Sequence, residues 1–288
     1  MDRLFRGVVM ARACWAVLRQ DRELMVFPAV SFVLTVLVSI GFLVPFWGSG
    51  MLLDLANGNL DLAMVAVGFL YYLTIYTVVI FCNVAVVAAA LIRLEGGEPT
   101  LSDGFNAAFD RLPAIIGYAA IAATVGMVLR SLTERTGLVG RLVLGGLGVA
   151  WSLATFLVAP VLVVEQVGPV RAIARSATLL RTTWGEQVAG NVGIGLVFGL
   201  ASVGVAIVAG LLFGLVADAS VAAAIAVIAV AVVAIGALAL LGTTLQAVFT
   251  ASVYRYATTG DGGPMFPTDL LQGAPGPRAR RPSGPGPG

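Results

Sequence analysis

The feature that most constrains this chain is a series of apolar runs, each long enough to cross a bilayer and each closed by a short polar break. About 20 apolar residues span membrane hydrocarbon as an α-helix. The run at 24–46 meets that length and is read as a retained first span. A cleaved signal peptide would instead have an apolar core of about 7–15 residues before a small-residue site. Further spans are expected at about 62–92, 113–129, 142–164, 188–216 and 221–254. The chain is 59% hydrophobic and 11% charged, whereas soluble domains carry roughly 25% charged residues, so a water-soluble fold is excluded. The expected fold class is all-α: a polytopic membrane protein with six transmembrane helices, residues 1–272 forming one membrane domain. Residues 273–288, mostly Pro, Gly and Arg, cannot build a core and are expected to be a disordered tail.

The longest polar interruption is Glu165–Asn191, with three arginines and two glutamates, and the other segments are expected to be arranged around it. At helical spacing Val170, Ile173, Ala177, Leu180 and Trp184 form one stripe, and Arg171, Arg175, Thr178 and Thr182 lie on another face. That pattern predicts an amphipathic helix lying in a membrane interface. Two shorter versions are expected. One covers 2–23, with Leu4, Val8, Ala11, Trp15 and Leu18 as its stripe. The other follows Thr100 and Asp103, which have capping-box spacing, and sets Phe105, Ala108, Phe109 and Leu112 opposite Asn106 and Asp110. Each interfacial helix precedes two spans, which gives a threefold parallel repeat. Its units end alike, at Glu95-Gly96-Gly97-Glu98-Pro99, Glu165-Gln166-Val167-Gly168-Pro169 and Gly262-Gly263-Pro264. The competing explanation is that Gly and Pro mark loop entrances in any polytopic protein.

Orientation follows from the arginines, which supply all 17 basic residues. With six spans and cytoplasmic termini, only Arg130, Arg135 and Arg141 fall outside and the rest fall inside, as the positive-inside rule requires. Arg130 and Glu134 are four residues apart, the spacing of a pair on a helix that extends past the membrane.

Little chemistry is encoded. There is no histidine, and the two cysteines, Cys14 and Cys82, fall in different environments. No metal, haem or other cofactor is therefore expected. Glu95, Glu98, Asp103 and Asp110 are the densest acidic group and read as a solvated loop and helix caps. No span carries a charge near its centre, which argues against ion-coupled transport. Asn83, Thr155, Asn191 and Gln246 are candidate buried polar residues that join helices by hydrogen bonds. Glu165 and Glu186 flank the central polar helix and are candidate partners for its arginines. Arg12, Arg19, Arg171, Arg175 and Arg181 are candidate lipid head-group contacts, each contributing about 1 kcal/mol near an anionic leaflet. The GxxxG pairs Gly195–Gly199 and Gly210–Gly214 are expected to pack span five closely against a neighbour.

The segments SLATFLVAP (152–160), GPVRAIARSATLLRTTWGEQVAGNVGIGLVFG (168–199), YRYATTG (254–260) and LEGGEPT (94–100) resemble a bacterial family of six-span membrane proteins catalogued as a domain of unknown function. The resemblance covers about residues 5–272. More distantly, the layout is similar to membrane domains fused to some glycerophosphodiester phosphodiesterases, whose activity resides in a separate soluble domain. The resemblance implies a bacterial inner-membrane location and no reaction. The resulting expectation is a non-enzymatic, membrane-organising or lipid-interacting protein. Its expected partners are membrane lipids, anionic ones above all, and a second copy or another membrane protein, with no nucleic acid. The alternative is an uncoupled permease for a lipid or small molecule.

Overall fold

The computed structural model describes residues 22–48, 61–184, 193–216 and 220–261. Residues 2–21 of the expected interfacial helix at 2–23, with Arg12 and Arg19, the segment 49–60, Glu186, Asn191, the side chain of Trp184 and the tail at 273–288 lie outside the described residues. A 3₁₀ turn, Arg22–Met25, leads into α1 (Val26–Gly48). There follow α2 (Leu62–Leu94), α3 (Leu101–Asp110), α4 (Leu112–Arg135), α5 (Leu138–Ala154), α6 (Val158–Val164), α7 (Pro169–Trp184), α8 (Gly193–Val216) and α9 (Val221–Thr259). Among the described residues six stretches are long and apolar enough to cross a membrane: Glu23–Pro45, Leu62–Leu94, Leu112–Glu134, Gly140–Val164, Phe198–Val216 and Ala223–Thr259. The described elements are all helical, with six candidate membrane-spanning stretches, as the apolar runs predict.

Helix ends follow local chemistry. Asp61 opens α2 by accepting the Leu62 N–H at 2.6 Å. Gly96 closes it with φ +89, a left-handed conformation that favours glycine. Thr100 and Asp103 form the expected capping box at α3, with Thr100 N to Asp103 Oδ2 at 3.0 Å and Asp103 N to Thr100 Oγ1 at 3.2 Å. Gly260, φ +78, ends α9 by donating to Tyr256 O at 2.9 Å.

Three span boundaries differ from expectation. The third span continues to Arg135 rather than stopping near 129, so that Arg130 and Glu134 pair on the helix (Nε to Oε1, 3.0 Å). Arg130 also donates to the Tyr72 hydroxyl at 2.9 Å. The sixth span continues to Thr259 instead of 254. The fourth is two helices rather than one, α5 and α6, separated at 155–157. Pro160 weakens the helix here, because it has no N–H to bond the Phe156 carbonyl and its ring crowds that carbonyl.

The buried core sits at one end of the bundle. It gathers Leu24 and Phe27 at the start of α1, Val84–Leu91 and Leu94 at the end of α2, and Ile115 at the start of α4. From the remaining elements it takes Ala108, Leu157–Leu162, Ala172, Leu179, Leu180 and Leu245–Tyr256, with partly buried residues between. The antiparallel order of the spans brings these segments together. The far halves of α1, α5, α8 and α9 are largely exposed. The expected organising stretch, Glu165–Asn191, is not the hub. The end of α2 is: it packs against α1, α3, α4, α6 and α9. Its run Val84-Ala-Val-Val-Ala-Ala-Ala90 presents small side chains in every direction, and small residues let several backbones approach at once where lipid supplies no hydrophobic drive.

Helix α8 packs chiefly against α9, and these two enclose an apolar groove of about 620 Å³ lined by residues such as Gly204, Val208, Leu212, Val227 and Val230. The GxxxG expectation is corrected here. A Cβ added at Gly199, Gly210 or Gly214 would meet nothing within 4 Å among the described residues. A different glycine is packed tightly: a Cβ on Gly104 would lie 2.5 Å from Phe27 Cζ and 2.8 Å from Ala85 O. Gly104→Val should therefore lower the melting temperature in detergent, with a cost of about 1–3 kcal/mol typical of overpacking. Gly199→Leu should leave it unchanged. The reverse order would place the close helix contact on α8 rather than between α2 and α3.

Asp103 supplies a second check. Its carboxylate accepts hydrogen bonds from the Thr100 backbone and hydroxyl, which hold its pKa below the ordinary aspartate value. The cap's contribution is present above that ordinary value and is lost as pH falls through the lowered one. An NMR titration should show the Asp103 midpoint rising when Thr100 is changed to Ala.

Candidate functional site at the packed end

Helix α7 begins at Gly168-Pro169, where proline suits the first turn because its missing N–H has no helical partner. One face docks onto α4, α5, α6 and α9. The docking stripe is Ala172, Ser176, Leu179 and Leu180, with Ile173 and Ala177 half-buried beside it. This stripe is rotated from the expected one, and Val170 is 69% exposed. The rotation has a physical reason. Ala172 and Ser176 are small residues four apart, which lets α7 approach the bundle closely, while the bulkier Val170 stays out. Arg171, Arg175, Thr178 and Thr182 are exposed, as the pattern predicts, and so is Arg181.

Short helix α6 is fastened to α7 at both ends. At its start the Leu157 N–H, which in an unbroken helix would bond Leu153 O, donates to the buried Ser176 hydroxyl oxygen at 2.9 Å. At its end Glu165 accepts Arg175 Nε at 2.8 and 3.0 Å on its two carboxylate oxygens. Glu165 also faces α9, where the Tyr254 hydroxyl donates to Oε1 at 3.4 Å. The Arg175 and Glu165 side chains are 45% and 24% exposed, so the pair contributes about 0.2–1 kcal/mol. Nearby, the Arg255 guanidinium donates to Leu94 O at the end of α2 and to Asp261 Oδ2 at 3.3 Å. A cation at a helix C-terminus is favourable both for the orphan carbonyl and for the helix dipole.

The candidate residues therefore separate. Arg175 is engaged by Glu165, as anticipated for Glu165. Arg171 and Arg181 stand on the exposed face with no acidic partner among the described residues. Asn83 is not buried but exposed on α2, so it is not the helix-joining residue expected; its neighbours Cys82 and Val84 occupy the packed face instead. Gln246 is half-buried. Thr155 sits at the break and bonds Trp151 O at 2.9 Å. Buried Thr244, Thr250 and Ser252 each donate to a carbonyl one turn back in α9. They satisfy themselves locally and present no reactive group. Reading the sequence missed Ser176, Tyr254 and the Leu157 amide. Pro160, three residues beyond Leu157, was the available signal for the break.

The exits of α2 and α6 share one geometry. Glu95 has φ −85 and ψ −1, and Glu165 has φ −84 and ψ −11. Each is followed by a residue with positive φ, Gly96 at +89 and Gln166 at +54, three residues before a proline. Gln166 is strained where its counterpart is glycine. Left-handed backbone costs a residue with a Cβ about 1–2 kcal/mol. Gln166→Gly should thus raise stability by about 0.5–1 kcal/mol, read as a higher melting temperature in detergent; a lower one would mean the Gln166 side chain outweighs the strain.

Residues 62–265 match the model of a family of unknown function (DUF6159), and the chain belongs to that family. No curated protein and no solved structure matches it.

Proposed function

We propose that this member of the family is a non-enzymatic protein of the bacterial inner membrane that binds or organises anionic lipid through the exposed face of α7, with the packed end of the bundle toward the cytoplasm. The observation that carries the reading is the separation of α7 into a docked small-residue face and an exposed face bearing Arg171 and Arg181 without acidic partners among the described residues. Charge placement supports the orientation. Arg93, Arg111, Arg171, Arg175, Arg181 and Arg255 belong to the packed end, and Arg130, Arg135 and Arg141 to the other. The matching exits at Glu95 and Glu165 support the parallel repeat, in which α3 and α7 are equivalent interfacial helices and 2–23, with Arg12 and Arg19, is the third. Six spans put both termini on one side, and the arginine placement makes that side the cytoplasmic one in this reading. Partners in this reading are anionic lipids and a second copy or another membrane protein. The alternative of an uncoupled permease has the apolar α8–α9 groove as its support, because that lining suits acyl chains rather than polar solutes.

Native mass spectrometry of the purified protein with phosphatidylglycerol and with phosphatidylcholine tests the proposal. Two arginines at about 1 kcal/mol each predict that Arg171→Gln with Arg181→Gln weakens phosphatidylglycerol binding by up to roughly 30-fold. Binding should also weaken with added salt, and phosphatidylcholine should be indifferent to the change. Equal binding of both lipids by the unchanged protein would remove the basis of the reading.

A further inference from the structure

We infer that Ser176 is a latch that holds the fourth span in its broken form, and that span four has a second, continuous form in which the Leu157 N–H returns to its helical acceptor. This goes beyond the proposed lipid contact and does not depend on it. One donor faces two acceptors. In the structure the Leu157 N–H donates to Ser176 Oγ at 2.9 Å, between two fully buried groups. Its ordinary acceptor, Leu153 O, takes the Phe156 N–H at 3.2 Å in the tighter i−3 pattern. Releasing Ser176 leaves Leu157 N–H a partner four residues back, so the buried amide is satisfied in both forms. Pro160 lies one turn beyond, and it removes the 160-to-156 bond in either form. It therefore weakens the helix at this place without deciding which form is occupied.

The packing on the two sides of the break is unequal. Val158, Val161 and Leu162 of α6 are buried, whereas Leu142, Val143, Leu147 and Val149 of α5 are exposed. The inner segment is further anchored at its far end by Glu165 to Arg175. Movement accordingly falls on α5, whose inner end also meets α7. Hydroxyls inside membrane helices ordinarily donate to a carbonyl one turn back, as Thr244, Thr250 and Ser252 do here. Ser176 differs in accepting from another element. Two discrete hydrogen-bond arrangements of one segment are the minimum needed for a switch.

The test uses full-length protein in nanodiscs with spin labels at Val143 and Val164, both exposed. A straight helix separates residues this far apart by about 32 Å at 1.5 Å per residue. The unchanged protein should give a shorter distance, and Ser176→Ala should move the distribution toward that of the straight helix with little loss in melting temperature. An unmoved distribution with a lowered melting temperature would make the bond a static support and overturn the latch. Hydrogen exchange on the unchanged protein decides the matter if the variant does not fold. The Leu157 amide should exchange at least tenfold faster than the Leu91 amide in the hub of α2. Exchange of both at one global rate would overturn the proposal.

Discussion

Every backbone N–H and C=O placed at membrane depth has to find a partner within the protein, because hydrocarbon offers none. A continuous helix meets that demand alone, which is why α2 and α9 can be long, apolar and otherwise unremarkable in their chemistry. The demand becomes specific only where a helix stops. At the packed end three such stops coincide, and each recruits a group from a different element. Arg255 takes the last carbonyl of α2, Ser176 takes the amide that the broken fourth span exposes, and Glu165 turns away from α6 to hold Arg175 and Tyr254. These contacts link α2, α6, α7 and α9 where small residues alone would leave the helices free to slide.

Packing explains why this linkage concentrates at one end, with Arg130 to Tyr72 and Ser39 to Tyr71 as further bonds across helices along α2. In lipid, two apolar helices gain nothing from hiding hydrophobic surface, so association relies on close approach and on hydrogen bonds across helices. The end of α2 has both, with its alanines and with Arg255 at its terminus. Among the described residues the α8–α9 hairpin has no such bonds, and its expected glycines Gly199, Gly210 and Gly214 face open space, whereas Gly242 of α9 is the one that meets α8, at Phe198. Glycine spacing permits close approach without compelling it.

The sequence made the span count, the capping box at Thr100 and Asp103, the Arg130–Glu134 pair and the exposed arginine face of α7 legible. Each depends on residues close together in the chain, where periodicity and spacing carry the information. What was not legible depends on the choice of neighbour. Ile173 and Ala177 describe an apolar face, but the docked stripe is centred on Ala172 and Ser176, where the closest approach needs small side chains, and continues to Leu179 and Leu180. Asn83 reads as a buried polar residue in an apolar run. Which side of α2 is buried is set by α1, α3, α4, α6 and α9, and Asn83 falls on the side they leave uncovered. The Ser176–Leu157 bond joins residues 19 apart across a loop and has no local signature.

The matched exits at Glu95 and Glu165 show how one backbone device has been put to different uses. Both glutamates occupy nearly identical dihedral angles before a left-handed residue and a proline, so the turn itself is set by backbone geometry. Their side chains then diverge. Glu95 is exposed, beside a terminus that Arg255 already satisfies, whereas Glu165 is drawn onto Arg175. That difference has a cause in the following helix. Arg175 of α7 lies one position from the serine that receives Leu157, so docking Ser176 brings Arg175 to Glu165 as well. Helix α3 carries Asn106 and Asp110 on its outward face and offers no cation to Glu95. The same turn therefore ends a plain span at α2 and a fastened, broken span at α6, and it is the helix after the fastened span, α7, that carries the exposed arginines.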